Sequence, residues 1–215
     1  LSINYFEDSA DNLLASNGDN NSNGDLMLVS DNRNPEYKLA YYSKGNYQLS
    51  LGEDKQAIES FDKVLELDDE YEQAYYGKGL AHANLGNDRE AVKAFKQAIN
   101  IEPKYADAYY HLGKAYVGQG EFATALKQLN EAIKIDNRNA ESFYYRGLAY
   151  SELQEPKAAI EDFDKAIEFN PQYVEAYNKR GAAHYSNNDY PAAKVDFHIA
   201  IAIDAKNPSI FHNRA

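Results

Sequence analysis

The side chains most able to do chemistry are five histidines, spread along a 215-residue chain that contains no cysteine. They are His82, His111, His184, His198 and His212. A metal site needs ligands that the local fold brings together, and none of these spacings places two histidines on one turn. The lack of cysteine excludes disulfides, thiol catalysis and cysteine-bound zinc. We therefore predict a non-catalytic chain with no metal and no cofactor.

One glycine motif has the letters of a dinucleotide fingerprint, Gly-Gln-Gly-Glu-Phe-Ala at residues 118–123. That fingerprint needs a strand before it, so that the glycines form the phosphate-binding turn at the start of a helix. Here the pattern predicts a helix on both sides, and so we do not expect a nucleotide site.

The N-terminal 34 residues are rich in Asn, Asp, Ser and Gly. Apolar residues at helical spacing predict a short helix over residues 2–16, followed by a flexible linker. Because the chain begins at Leu1, we expect its natural N-terminus to lie upstream. We expect a cytoplasmic protein by default, with secretion or a periplasmic location as the open alternative.

Within this segment, residues 19–30 resemble the calcium loop of a helix–loop–helix protein. Asp19 and Asn21 supply oxygen atoms at the expected spacing, and Gly24 permits the sharp turn. Ser30 stands where a bidentate glutamate closes such a loop. We expect a solvated polar linker, with calcium binding as the open alternative.

The rest of the chain is a tandem repeat of 34 residues. The five copies are 38–71, 72–105, 106–139, 140–173 and 174–207. Each copy opens with an aromatic residue, at Tyr41, Tyr75, Tyr109, Phe143 and Tyr177. Glycine follows four positions later, at Gly45, Gly79, Gly113, Gly147 and Gly181. A fixed period of this length is typical of a solenoid.

The second half of each copy carries an alanine, at Ala57, Ala91, Ala125, Ala159 and Ala193. A large apolar residue follows, at Phe61, Phe95, Leu129, Phe163 and Phe197. This pattern closely resembles the tetratricopeptide repeat family. The resemblance implies an all-α fold, a right-handed superhelical solenoid of antiparallel helix pairs. Residues 208–215 continue the register, so we expect the start of a truncated sixth copy or a capping helix, and a longer parent protein.

Basic residues replace the leucine that the family usually places three positions after the leading aromatic. They are Lys44, Lys78, Arg146 and Arg180, whereas the third copy keeps Leu112. Long basic side chains cover apolar surface with their stems while their charges reach water. We expect a structural role for them, with Asp162 and Asp196 as partners.

The resemblance also implies that the first helix of each pair lines a concave groove. The residue after the leading aromatic is expected to point away from the packed seam, and the residue four positions further lies on the same face. These two positions give a candidate peptide-binding groove at Tyr42, Asn46, Tyr76, Leu80, Tyr110, Lys114, Tyr144, Leu148 and Asn178. One turn earlier, an edge that is acidic in its second half reads Leu39, Gln73, Asp107, Glu141 and Glu175. Tyrosine suits peptide recognition, although a tyrosine here is equally typical of packing within the family.

The expected function is a scaffold or adaptor that binds an extended peptide or a partner helix, with a weak preference for basic or amphipathic segments. The net charge of −12 argues against nucleic acid and anionic membranes. The groove lacks the basic residues with which chaperone-binding members hold a carboxylate, since Asp107 and His111 stand at those positions. Two alternatives remain: self-assembly through the solenoid ends, and autoinhibition by residues 2–16 lying in the groove.

Overall fold

The computed structural model describes residues 35–205, which form α-helices and no strand. The helices are α1 Pro35–Ser50, α2 Asp54–Leu67, α3 Glu72–Asn84, α4 Asp88–Ile101, α5 Ala106–Gly118, α6 Phe122–Ile135, α7 Ala140–Glu152, α8 Pro156–Phe169, α9 Val174–Ser186 and α10 Tyr190–Asp204. The all-α repeat fold expected from the sequence is confirmed. The predicted helix at 2–16, the candidate calcium loop, His212 and the sixth copy lie outside the described residues.

The helices form five packed pairs, one for each copy of the repeat. In every pair the large apolar residue of the second helix lies against the glycine of the first. A Cβ atom at Gly45 would lie 2.7 Å from Cε1 of Phe61, and one at Gly147 would lie 2.8 Å from Cε1 of Phe163. Both phenylalanine rings are fully buried. Glycine at this position therefore sets the close approach of the paired helices.

The described chain divides into two compact units between Pro103 and Lys104. Unit 1 contains α1 to α4, and its pairs join where α2 packs on α3. Unit 2 contains α5 to α10, joined where α6 packs on α7 and α8 packs on α9. Because the first helices also contact each other, α1 with α3, α5 with α7 and α7 with α9, each unit presents its first helices side by side.

A residue in the left-handed conformation ends the first helix of every pair. Gly52, Gly86 and Gly120 have φ values of 75°, 73° and 76°, as their spacing predicts. Asn188 takes the same role with φ 62°. Gln154 also adopts φ 62°, although its side chain is less suited to that conformation. The geometry of the repeat thus prevails over the local preference of this residue.

The basic residues after the leading aromatic make structural ion pairs in both units. Lys78 donates to Asp62 at 2.5 Å. Arg146 holds both carboxylate oxygens of Asp162, at 2.8 and 2.6 Å. Arg180 does the same to Asp196 and also donates to Asp164 of the preceding pair. The predicted pairing with Asp162 and Asp196 is confirmed.

Candidate functional site

In unit 1 the predicted groove tyrosines are half-buried and rest on the second helices. The ring of Tyr42 lies 6.1 Å from that of Phe61 and 5.3 Å from that of Tyr71, measured between centroids. Tyr76 lies 6.0 Å from Phe95 in the same way. These rings are fixed by core contacts and still reach the surface.

The position one turn further is more open to solvent. Asn46 is exposed on α1, and Leu80 is half-buried on α3. Leu39 stands at the edge of this face with 52% of its surface exposed. Gln73 holds the equivalent edge position on α3 and is half-buried. The first-helix face of unit 1 therefore carries no acidic residue at the two edge positions.

In unit 2 the tyrosines form a continuous aromatic cluster. We call Tyr110, Tyr144, Tyr145 and Tyr173 the tyrosine cluster. Tyr110 lies 5.8 Å from Tyr145, Tyr145 lies 5.3 Å from Tyr144, and Tyr144 lies 4.9 Å from Tyr173. Such separations are those of favourable aromatic pairs. The cluster joins α5, α7 and the loop before α9 into one surface.

The direction expected for Tyr144 is wrong, because its ring does not point away from the packed seam. Only 9% of its surface is exposed, and it packs 5.9 Å from Phe163. Tyr173 closes over it from the last position of the same repeat. Tyr71 covers Tyr42 in the same manner in unit 1. The recurrence of tyrosine at this last position was the sequence signal that predicts the contact, and our groove prediction did not use it.

Two further side chains border the cluster on α5. The ring of His111 lies 4.6 Å from that of Tyr110, and the ammonium of Lys114 lies 5.4 Å from the centroid of Tyr145. Burial, with a smaller contribution from Lys114, lowers the pKa of His111 to about 4. The imidazole is therefore neutral at physiological pH.

Burial and neighbouring groups keep two phenols of the cluster protonated. The pKa of Tyr144 rises to about 12, first through burial and then through Tyr145 and Glu175. Burial also raises the pKa of Tyr173, assisted by Tyr144 and Glu141. Both hydroxyl groups are consequently neutral hydrogen-bonding groups beside carboxylates.

The acidic edge predicted for the second half of the chain is exposed in unit 2. Asp107, Glu141 and Glu175 are each the second residue of their helices, α5, α7 and α9. Carboxylates in the first turn favour a helix by interacting with its dipole, which accounts for their position in part. Their exposure leaves them open to a cationic ligand as well.

The remaining predicted positions in unit 2 are Lys114, Leu148 and Asn178. Lys114 and Asn178 are exposed, whereas Leu148 is half-buried and packs beside Tyr144. Within this unit the predicted face therefore has the tyrosine cluster and Leu148 at its centre, and the polar residues Lys114 and Asn178 on α5 and α9 on either side.

The described residues show no grouping that matches a metal or enzyme site. No group of three or more His, Cys, Asp or Glu side chains in residues 35–205 is arranged to hold a metal ion. The glycine motif at 118–123 ends α5 and begins α6. None of the described helices is long and apolar enough to cross a membrane.

Family models match most of the repeat region. Models described as tetratricopeptide repeats match residues 39–71, 140–173 and 163–195, and one described as TPR repeat matches 84–120 and 115–154. No curated protein matches the chain. The matched ranges cover more than half of the chain. The chain therefore belongs to the tetratricopeptide repeat family.

Solved structures share this architecture. A crystal structure of MamA is 27% identical, with a TM-score of 0.69, and covers 75% of this chain and 95% of that one. MamA 41-end from Desulfovibrio magneticus RS-1 is 21% identical, with a TM-score of 0.73, and covers 80% and 97%. YrrB, described as a TPR protein with an unusual peptide-binding site, is 23% identical, with a TM-score of 0.68, and covers 88% and 98%. The fold and family define a protein-interaction scaffold of a generally non-catalytic class.

Proposed function

We propose that this scaffold binds an extended peptide or a partner helix on the face of its first helices, without catalysis. The observation that carries the proposal is the tyrosine cluster of unit 2, which lies beside exposed carboxylates. In unit 1 the proposed contacts are Tyr76 and Leu80, next to Tyr42 and Asn46. In unit 2 they are Tyr110 and Leu148, next to Lys114 and Asn178, and Tyr144 supports the rings of the cluster.

The fixed rings favour binding because they lose little freedom when a ligand arrives. Tyr42, Tyr76 and Tyr144 already rest against buried phenylalanines. A surface ordered before binding avoids the entropy cost of fixing its side chains. Tyrosine also offers apolar area together with a hydrogen-bonding group, a combination found at many recognition surfaces. Buried Tyr144 acts mainly as support for the rings around it.

The charges favour a basic ligand segment over an acidic one. Asp107, Glu141 and Glu175 border the cluster, and the whole chain carries a net charge of −12. Complementary charge mainly increases the rate of association and selects among partners. Binding is therefore expected to weaken as the salt concentration rises.

A random peptide library displayed on phage tests the proposal and requires no named partner. We expect the protein to enrich peptides that carry Lys or Arg next to apolar residues. The double variant Tyr76→Ala/Tyr110→Ala is expected to lose this enrichment while its helical circular dichroism is unchanged. Equal enrichment by the double variant would refute the assignment of the contact surface.

A matched pair of charge reversals distinguishes the effect of the acidic edge on binding from the effect of net charge. Glu141→Lys lies on the acidic edge of α7, whereas Glu161→Lys lies on α8 of the same unit, and both side chains are exposed. Only Glu141→Lys is expected to weaken binding of a selected basic peptide, by several-fold at low salt. Equal effects of the two reversals would assign the preference to net charge alone.

A further inference from the structure

A cavity of about 380 Å³ opens in unit 2, between the end of α8 and the loop before α7. It is lined by Asn137, Arg138, Phe143, Lys165, Glu168 and Phe169. We call it the phenylalanine pocket. None of the residues proposed for the groove lines it. Ligand pockets commonly measure roughly 300–1,000 Å³, so this pocket has room for one side chain and its neighbours, and not for a large molecule.

Two phenylalanine rings form the apolar side of the phenylalanine pocket. The ring centroids of Phe143 and Phe169 lie 5.7 Å apart, and Phe143 is buried whereas Phe169 is half-buried. In the next copy of the repeat, the hydroxyl of Tyr177 donates to the carbonyl of Pro171 at 3.4 Å. Phe143 stands at the equivalent position and lacks this hydroxyl. The two rings therefore present no polar atom to a ligand.

Two cations border these rings. The guanidinium of Arg138 lies 5.8 Å from the ring centroid of Phe169, and no carboxylate within residues 35–205 pairs with it. Asp136 accepts the backbone N–H of Arg138 at 3.0 Å, which fixes this loop. The ammonium of Lys165 lies 2.7 Å from Glu168, and both side chains are more than half exposed. Such exposed pairs contribute little stability, so Lys165 is able to exchange this contact for a ligand carboxylate.

No other copy of the repeat combines these residues. At the two phenylalanine positions the other copies have Tyr41 and Leu67, Tyr75 and Ile101, Tyr109 and Ile135, and Tyr177 and Ile203. At the two basic positions they have Glu36 and Lys63, Glu70 and Gln97, Lys104 and Glu131, and Gln172 and Ile199. The packing of the repeat does not require the pocket residues, because the other four helix pairs form without them.

We propose that the phenylalanine pocket binds an aromatic side chain from an acidic segment of a partner protein. The rings of Phe143 and Phe169 offer apolar area and faces for aromatic packing. Arg138 and Lys165 attract carboxylates next to that side chain, since hydrogen bonds between ionised groups are the strongest ones. The occupant is a segment of another protein because the fold and family define a protein-interaction scaffold. The preference is opposite to that of the acidic edge, and it does not depend on the groove.

Fluorescence anisotropy with a labelled peptide tests the proposal on the complete chain. The probe is Gly-Ser-Glu-Phe-Glu-Ser-Gly, and the matched peptide has Ala in place of Phe. We expect saturable binding of the probe that weakens as salt is added, and at least ~10-fold weaker binding of the Ala peptide, because it leaves the rings uncovered. Equal binding of the two peptides, or no binding of the probe, would overturn the proposal.

Reversing both charges of the pocket is expected to weaken the probe most. Arg138→Glu/Lys165→Glu introduces residues that other copies carry at these positions, Glu70 and Glu131, so the fold is expected to be retained. The carboxylates of the probe then meet like charges, and the Kd is expected to rise at least ~10-fold at low salt.

The control for this variant makes the same change in net charge elsewhere in unit 2. Lys127→Glu/Lys157→Glu reverses two exposed lysines that do not line the pocket. Its Kd for the probe is expected to stay within ~2-fold of the wild type, because distant surface charges are screened by salt. Equal weakening in both variants would assign the effect to net charge and contradict the pocket.

The rings are tested with residues taken from the other copies. Phe143→Tyr/Phe169→Ile gives the pair found in the fifth copy, which forms the same helix pair. This variant is expected to bind the probe several-fold more weakly while its helical circular dichroism is unchanged. An unchanged Kd would contradict the role of the two rings.

Two further variants identify the occupant and separate this pocket from the groove. Residues 5–8 of the chain, Tyr-Phe-Glu-Asp, have the same chemistry as the probe. Equal binding by Phe6→Ala and the wild type supports a partner protein, whereas binding only by Phe6→Ala would overturn that assignment in favour of the chain's own segment. Tyr76→Ala/Tyr110→Ala is expected to bind the probe normally, and a loss of binding would contradict a pocket distinct from the groove.

Discussion

The first helices α1, α3, α5 and α7 carry a tyrosine at the same repeat position, but its electrostatic surroundings differ between the two units. In unit 1 the edge positions hold Leu39 and Gln73, and Lys38 forms an ion pair with Asp68 at 2.6 Å. That pairing lowers the pKa of Asp68. In unit 2 the edge positions hold Asp107, Glu141 and Glu175. The repeated core is compatible with neutral or acidic residues at the edge, because exposed positions change without altering the packing beneath them.

The bases that support the first helices also differ between the units. In unit 1, Lys78 makes one contact with Asp62, whose side chain is 48% exposed. In unit 2, Arg146 makes two contacts with Asp162, whose side chain is 6% exposed. Arginine binds a carboxylate in a fixed planar fork, whereas lysine acts as a flexible point charge. In unit 1 the base at this position therefore makes a surface pair with the preceding helix pair. In unit 2 it also makes a buried pair, because Asp162 and Asp196 stand where the copy of Lys78 has Ala94.

Removing the basic side chain at this position is expected to give the largest difference in stability loss between the two units. Arg146→Met leaves the buried carboxylate of Asp162 without its partner, at a cost of about 3–5 kcal/mol. Lys78→Met leaves Asp62 in contact with water and is expected to cost about 1 kcal/mol or less. Urea unfolding of both variants checks the difference. Equal losses of stability would show that burial does not govern the strength of these pairs.

A histidine gives unit 2 a pH dependence that unit 1 lacks at the equivalent positions, Ser43 and Gly77. The pKa of His111 is about 4 in the folded chain and ~6.5 in an unfolded chain. As the pH falls from 6.5 to 4, the unfolded chain gains a proton that the folded chain does not. The folded state is therefore destabilised over this range by about 3 kcal/mol at most.

The variant His111→Gln lacks this titration, so its stability is expected to fall less steeply between pH 6.5 and pH 4. The measurement is the melting temperature of the variant and the wild type across that range. As the pH falls, the melting temperature of the wild type is expected to decrease more than that of the variant. Parallel curves would contradict the contribution of His111.

Overpacking the helix pairs is expected to affect the two units alike. Ala57 in α2 and Ala125 in α6 are both completely buried at the same repeat position. Leucine at either site forces its extra atoms into a filled space, with an expected cost of about 1–3 kcal/mol. Thermal melting of Ala57→Leu and Ala125→Leu tests the equivalence. An unchanged melting temperature for Ala125→Leu would be incompatible with the close pairing of α5 and α6.

The sequence predicted the packed framework well because each position repeats five times. The pairing of Arg146 with Asp162 and that of Arg180 with Asp196 were expected from the repeat pattern, and the glycine spacing predicts the left-handed cap at Gly52. These features depend on contacts within one or two repeats. Periodicity specifies such contacts directly.

The surface was harder to predict because a helical wheel does not include side chains that come from a loop. Tyr144 is buried because Tyr173, 29 positions later in the same repeat, closes over it. The division between Pro103 and Lys104 was not predicted either. The choice of binding residues stays a prediction, since exposure and neighbouring charge alone do not identify a ligand.

The local packing of the helices has a consequence for how the chain folds. Within each unit, every helix makes its main contacts with helices one or two places away in sequence. The chain therefore closes only short loops as these contacts form, which is typical of rapid folding. Because unit 1 ends at Pro103, the ribosome has made all four of its helices before it makes α5. We expect synthesis and folding to proceed together, from the first helix pair towards the last.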